Sequence, residues 1–124
     1  MSCRILYIDD NRANLVLIES IIARLRPRWR VQVEIDPERG LRTAIEGSHD
    51  LILLDIQFKE TSGYEILSQL REHAHIASVP VIALSASAME VDIIKAKKAG
   101  FYDYVTKPIE VTSLLKLLDR CLTP

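Results

Sequence analysis

Five short apolar runs, each followed by a stretch with helical spacing, constrain this 124-residue chain more than any other feature. Arg4 to Ile8 reads as a strand. From Asn11 to Arg26, Leu15, Ile18, Ile22 and Leu25 recur at intervals of three and four, the stripe of one helix face, and Pro27 stops that helix. Val31 to Ile35 alternates apolar and polar residues, as an outer strand half exposed to water does. Pro37 opens a short helix through Glu46, with Gly47 at the C-cap position. Leu51 to Leu54 is four unbroken aliphatics, the pattern of a strand covered on both faces. Ser62 is a candidate N-cap for a helix from about Gly63 to His73. Val79 to Leu84 is a further apolar run, Ala86 to Ala99 reads as a helix ending at Gly100, and Tyr102 to Val105 is strand-like. Glu110 to Leu122 closes the chain as an amphipathic helix.

Strands alternating with helices imply a parallel sheet with helices on both faces. Five units are too few for an eight-stranded barrel, which leaves a three-layer, doubly wound open sheet. The flavodoxin-like order 2-1-3-4-5 fits best, because strands one, three and four are the most apolar and belong at the centre. No linker, repeat or low-complexity tract divides the sequence, so residues 1–124 are expected to form a single domain. Lys and Arg number 16 against 17 Asp and Glu, a net charge of −1 that argues against direct nucleic-acid binding through a broad basic surface. No apolar run approaches the roughly 20 residues that span a bilayer. Asp9-Asp10 interrupts the first apolar run too early for a signal peptide. Two cysteines, Cys3 and Cys121, make no disulfide framework, and a cytoplasmic location is expected.

In such a sheet, functional groups collect beyond the carboxyl ends of the strands. Here strand one ends in Asp9-Asp10, strand three in Asp55, strand four in Ser85, and strand five in Thr106-Lys107-Pro108. Two carboxylates 4 Å apart repel by on the order of 4 kcal/mol at an effective dielectric of 20, so three of them call for a cation. Hard oxygen ligands at a solvent-facing rim suit Mg²⁺. One carboxylate is then available as a nucleophile toward a phosphoryl group, with Lys107 to neutralise its oxygens and Ser85 to donate a hydrogen bond. Taken singly, Asp9, Asp10 or Asn11 reads as a helix cap, Asp55 as a turn residue and Lys107 as a loop charge. Their arrival at one end of consecutive strands is what carries the functional reading.

These residues bring a family into view. The whole sequence resembles a response-regulator receiver domain of two-component signalling, of the chemotaxis-regulator kind. The resemblance rests on Ile5-Leu6-Tyr7-Ile8-Asp9-Asp10-Asn11 and on Asp55 followed eight residues later by Gly63-Tyr64-Glu65. It continues through Val81-Ile82-Ala83-Leu84-Ser85-Ala86 and Gly100-Phe101-Tyr102-Asp103-Tyr104-Val105-Thr106-Lys107-Pro108. It implies that Asp55 is the phosphoacceptor, receiving phosphate from a histidine on a kinase or phosphotransfer protein. It implies that Asp9 and Asp10 hold Mg²⁺, with Asp10 the direct ligand beside Asp55 and the backbone carbonyl of Gln57. Ser85 resembles the switch hydroxyl, Tyr104 the aromatic switch residue, and Lys107 the phosphate-contacting lysine, whose bond to Pro108 is usually cis. Transfer and slow self-hydrolysis are autocatalytic in the family, so a signalling switch rather than a turnover enzyme is expected, acting on a downstream protein target. The loop after Asp55 departs from the pattern. Phe58-Lys59 and Ser62 stand where the family often has Met-Pro and an aspartate, and losing the proline removes a fixed φ angle.

Three rivals share the fold. An aspartyl-phosphate phosphohydrolase needs a second acid two residues after the nucleophile, where this chain has Gln57. A flavin protein wants a hydroxyl-rich loop where Asp9-Asp10 stands. A receiver that has lost phosphorylation is disfavoured, because every acid and the lysine are present. Other features read as surface: Arg24, Arg26, Arg28 and Arg30, the pair His73 and His75, and Lys95, Lys97 and Lys98. The first helix carries a second row, Ala13, Leu17 and Ile21. It is either a broad core face or a docking ridge for a partner's helical bundle, with Asn14, Leu17 and Ile21 as the candidate contacts. The Asn11-Arg12-Ala13-Asn14-Leu15 run resembles receivers of hybrid kinases, so a stand-alone regulator and a receiver of a larger protein both stay open.

Overall fold

The computed structural model describes residues 2–122. Within them, strands and helices alternate strictly: β1 (Cys3–Ile8), α1 (Arg12–Leu25), β2 (Trp29–Glu34), α2 (Pro37–Glu46), β3 (Leu51–Asp55), α3 (Gly63–Arg71), β4 (Val81–Ser85), α4 (Glu90–Ala99), β5 (Asp103–Thr106) and α5 (Val111–Leu122). All pairings are parallel and the order is β2-β1-β3-β4-β5. Register is set by side-chain alternation, since a one-residue slip would turn each apolar row to the wrong face. Cys3, Ile5 and Tyr7 of β1, with Leu51 and Leu53 of β3, pack under α1 and α5. Leu6, Ile8, Ile52 and Leu54 face the other way, against α2, α3 and α4. Leu51 to Leu54 are accordingly buried on both sides, as their unbroken apolar run requires.

Several boundaries differ from the expected ones. β2 begins at Trp29, because Trp29 and Arg30 continue the ladder with Cys3 and Arg4 and Trp29 covers the α1–α5 core. β4 and β5 run one to two residues later than their apolar signals, and α3 ends at Arg71. α4 starts at Glu90 rather than Ala86. The Tyr104 hydroxyl donates to the Ser87 carbonyl at 2.7 Å, while Ser87 Oγ donates to Asp92 and accepts from the Met89 amide. Those bonds hold residues 86–89 out of the helix despite two alanines, and Met89 has an extended backbone. Leu25, expected on the buried stripe of α1, is 53% exposed beside Trp29 and Leu122. The helix ends there, and Arg26 turns across to Asp119 in a two-pronged ion pair of 2.9 and 2.6 Å while lying over the Trp29 ring. Arg26 is thus part of the structure rather than a merely solvated charge.

Two devices close the side of the sheet nearest α4. Gly100 ends α4 with φ 114°, a left-handed conformation that favours glycine. From α3, Arg71 Nη1 donates to the carbonyls of Ile76, Ala77 and Val79 at 3.1 to 3.2 Å, and Nη2 to Gly100 at 3.3 Å. The segment between α3 and β4 has little ladder of its own, and this guanidinium supplies donors for its carbonyls.

Candidate functional site

Parallel β–α connections deliver every carboxyl end to one rim, and β1 and β3 are neighbours at the point where the chain order reverses. Asp9, just beyond β1, is fully buried; Asp10 is exposed; Asp55, the last residue of β3, is 3% exposed. One carboxylate oxygen from each of the three lies within 4.8 Å of the others. Lys107 follows β5, its amide donating to the Ser85 carbonyl at 2.7 Å, which locks the last turn of β5 to the end of β4. Its ammonium stands 3.1 Å from Asp9 Oδ2 and 3.1 Å from Asp55 Oδ2. The Lys107–Pro108 bond is cis.

Each buried carboxylate is held from both sides. Asp9 Oδ1 accepts from the Asn11 amide at 2.9 Å, and Oδ2 accepts from the Tyr7 hydroxyl at 2.8 Å as well as from Lys107. Asp55 Oδ1 accepts from the Gln57 amide at 3.1 Å. Burial pushes Asp55 up to about 6; the Gln57 amide and Lys107 work against that, and the charge of Asp9 adds to it. At neutral pH Asp55 is therefore an anion, and a less stabilised one than an exposed aspartate. For Lys107, burial alone favours the neutral amine, but the hydrogen bonds and charges of Asp9 and Asp55 outweigh it and raise its pKa. The Tyr7 phenol is raised far above its usual range by burial first and then by the Asp9 charge.

The loop after β3 is fixed despite lacking proline. Gln57 and Ser62 form an antiparallel bridge, and the Gly63 amide donates to the Ile56 carbonyl at 2.7 Å. A Cβ on Gly63 would stand 2.5 Å from the Asp55 carbonyl oxygen, so only glycine allows α3 to start this close to the site. Ser62 caps α3 by accepting from the Glu65 amide, and Phe58 packs half-buried on the α2–α3 core. Lys59 is exposed.

The remaining candidates fall in different places. Ser85 is buried at the rim, its Oγ accepting from the Ser87 amide at 3.2 Å. Tyr104 is half-buried and tied to the segment after β4 through Ser87. Ala13 and Leu17 of α1 are exposed, Leu17 to 52%, whereas Asn14 and Ile21 are half-buried. The second row of α1 thus lies outside the core at Leu17, beside Val16, which is also exposed. His75 donates to the Ile45 carbonyl at 2.8 Å and meets His73 edge-on, Lys95 lies over the Tyr64 ring, and both cysteines are free. The site residue that sequence reading missed is Tyr7. Its signal was a lone hydroxyl inside an apolar strand, two positions before Asp9 and therefore on the same face.

The donor set fits a hard divalent cation: carboxylate oxygens only, two of them buried and pre-oriented, the third open to water. Among the described residues, no helix is long and apolar enough to cross a membrane.

A doubly wound sheet with this rim defines a class of signalling domain, and comparison with known proteins places the chain within it. The family model described as response regulator receiver domain matches residues 5–119. The chain belongs to that family: it is a receiver domain of two-component signalling, and its acidic cluster fits a phosphoaccepting aspartate with Mg²⁺. It is 30% identical to the polar-differentiation response regulator DivK of Brucella ovis, covering 98% of each chain. It is also 30% identical to the hybrid signal transduction histidine kinase G of Dictyostelium discoideum over 94% of this chain. It spans only 3% of that kinase, and from 25% to 48% of other curated relatives. Among solved structures, the receiver domain of a sensor histidine kinase from Pseudomonas aeruginosa is 30% identical over the full length of both chains, with a TM-score of 0.87. That crystal has a magnesium ion coordinated in the active site cleft.

Proposed function

We propose that Asp55 is the phosphoacceptor. Its carboxylate oxygen attacks the phosphorus of a phosphohistidine on a histidine kinase or phosphotransfer protein. A P–O bond forms, the P–N bond breaks, and its electron pair returns to the imidazole. The observation that carries this reading is the shared ammonium: one Lys107 Nζ at 3.1 Å from both Asp9 and Asp55, beside a third carboxylate. Asp10, Asp55 and the Gln57 carbonyl would hold Mg²⁺, with Asp9 completing the acidic pair, and the ion would neutralise phosphoryl oxygens during transfer. Lys107 turns to the phosphoryl group, Ser85 donates to another of its oxygens, and Tyr104 follows Ser85. The two conformations of that face differ in affinity for a downstream protein target.

The product is a modified protein rather than released phosphate, so we read the domain as a switch and not a turnover enzyme. The phosphohydrolase alternative lacks its proton donor, since Gln57 bears an amide and is exposed. We read residues 1–124 as one receiver unit acting in the cytoplasm, where the free thiols of Cys3 and Cys121 persist. Incubation with a small phosphodonor and Mg²⁺, followed by intact mass, tests the assignment. A gain of one phosphoryl group that needs the metal and vanishes in Asp55→Asn supports it, and phosphorylation unaffected by the substitution rejects it.

A further inference from the structure

Asp9 is the least exposed charged residue among the described residues, and its Oδ2 has two donors of different kinds. Lys107 is half-buried and shared with Asp55, so its ammonium is free to be reassigned. Tyr7 is fully buried in the core beneath α1 and α5, and its hydroxyl is anchored by the packing of its ring. Phenylalanine would fill that strand position as well; the hydroxyl adds a polar group that burial permits only with a partner, and the partner is Asp9 Oδ2 at 2.8 Å. A phosphoryl group on Asp55 brings further oxygens and negative charge next to Lys107, which become the strongest partner of the ammonium. Asp9 Oδ2 would then be a buried anionic acceptor with no donor, were it not for Tyr7.

We propose that Tyr7 is a positioning residue for phosphorylation: its hydroxyl keeps Asp9 in place while Lys107 moves from Asp9 to the phosphoryl group. The inference rests on Asp55 being the phosphoacceptor. The hydroxyl matters little at rest, when Lys107 also serves Asp9, and most once Lys107 has left. Tyr7→Phe removes the oxygen alone and keeps the ring. Titrated with Mg²⁺ alone in a calorimeter, the variant is expected to match wild type within about twofold. At saturating Mg²⁺, its rate of phosphorylation by a small phosphodonor and its affinity for beryllofluoride, a stable phosphoryl mimic, are each expected to fall about tenfold, or about 1.4 kcal/mol. In the wild-type protein, where no question of folding arises, the Tyr7 hydroxyl proton should move downfield in the NMR spectrum when beryllofluoride and Mg²⁺ are added. The bond to Asp9 tightens as the competing ammonium leaves.

The outcomes separate. A wild type that takes up neither phosphoryl group nor mimic overturns both the phosphoacceptor reading and this one. A wild type that is modified, with Tyr7→Phe equally fast, overturns the role of Tyr7 alone. So does a variant that loses Mg²⁺ affinity by the same factor as rate, because the hydroxyl would then only build the resting site. An unmoved hydroxyl resonance in the saturated wild type overturns it as well.

Discussion

Lys107 Nζ stands 3.1 Å from Asp55 Oδ2, and the same nitrogen is 3.1 Å from Asp9 Oδ2. One ammonium thus serves two buried anions, with a third carboxylate at the solvent side. The site is short of positive charge at rest, which is the condition under which it gains by taking a divalent cation.

That shortage gives a pH dependence with a defined sign. Asp55 is held at about 6 in the folded protein against an ordinary 3.8. Between those values the native state binds more protons than the unfolded chain, so stability from this group is present at acid pH and is lost as pH rises through about 6. Without metal, Asp55→Asn is expected to be more stable than wild type at neutral pH, the difference shrinking toward pH 4. Urea melts across that range check it. Protons and Mg²⁺ compete for the same oxygens, so Mg²⁺ affinity by calorimetry should weaken as pH falls through about 6. A flat profile there would contradict the placement of the ion at Asp55.

The exposed part of the α1 row leads to a second expectation. Leu17 is 52% exposed, so Leu17→Asp removes little core contact and should leave the melting temperature nearly unchanged. It is expected to slow transfer from a phosphohistidine protein by about tenfold or more, in keeping with a hot-spot contact, while sparing a small phosphodonor. Equal loss with both donors would count against a docking ridge.

Most of the rim was legible because the fold makes strand ends converge: once Arg4–Ile8, Leu51–Leu54 and the run before Ser85 read as parallel strands, Asp9, Asp55 and Ser85 had to meet. Local pattern failed where distant groups decide the backbone. Ala86 to Met89 looked helical until Tyr104, seventeen residues on, claimed the Ser87 carbonyl. Leu25 had the spacing of a core residue, but the chain leaves the helix there to place Arg26 on Asp119. Tyr7 passed for an ordinary strand aromatic because a hydroxyl's partner is not visible from spacing alone.

Arg71 offers a test of the fold away from the rim. Its four carbonyl partners are Ile76, Ala77 and Val79, in the segment between α3 and β4, and Gly100 at the end of α4. Arg71→Ala is expected to lower stability by about 2–3 kcal/mol in chemical denaturation, from lost charge-assisted hydrogen bonds. Arg71→Met, which keeps the apolar stem, should recover only a minor part. Phosphorylation by a small donor is expected to stay at the wild-type rate under native conditions, since no partner of Arg71 touches the acidic cluster.

The most direct test asks which carboxylate carries the phosphoryl group. Phosphorylation of the wild-type chain with a small donor and Mg²⁺, reduction with sodium borohydride, and peptide sequencing by mass spectrometry read the position, because an aspartyl phosphate is converted to homoserine. Homoserine is expected at position 55, with intact aspartates at 9 and 10. Homoserine at either of those, or at a residue outside the rim with Asp55 unmodified, would contradict it.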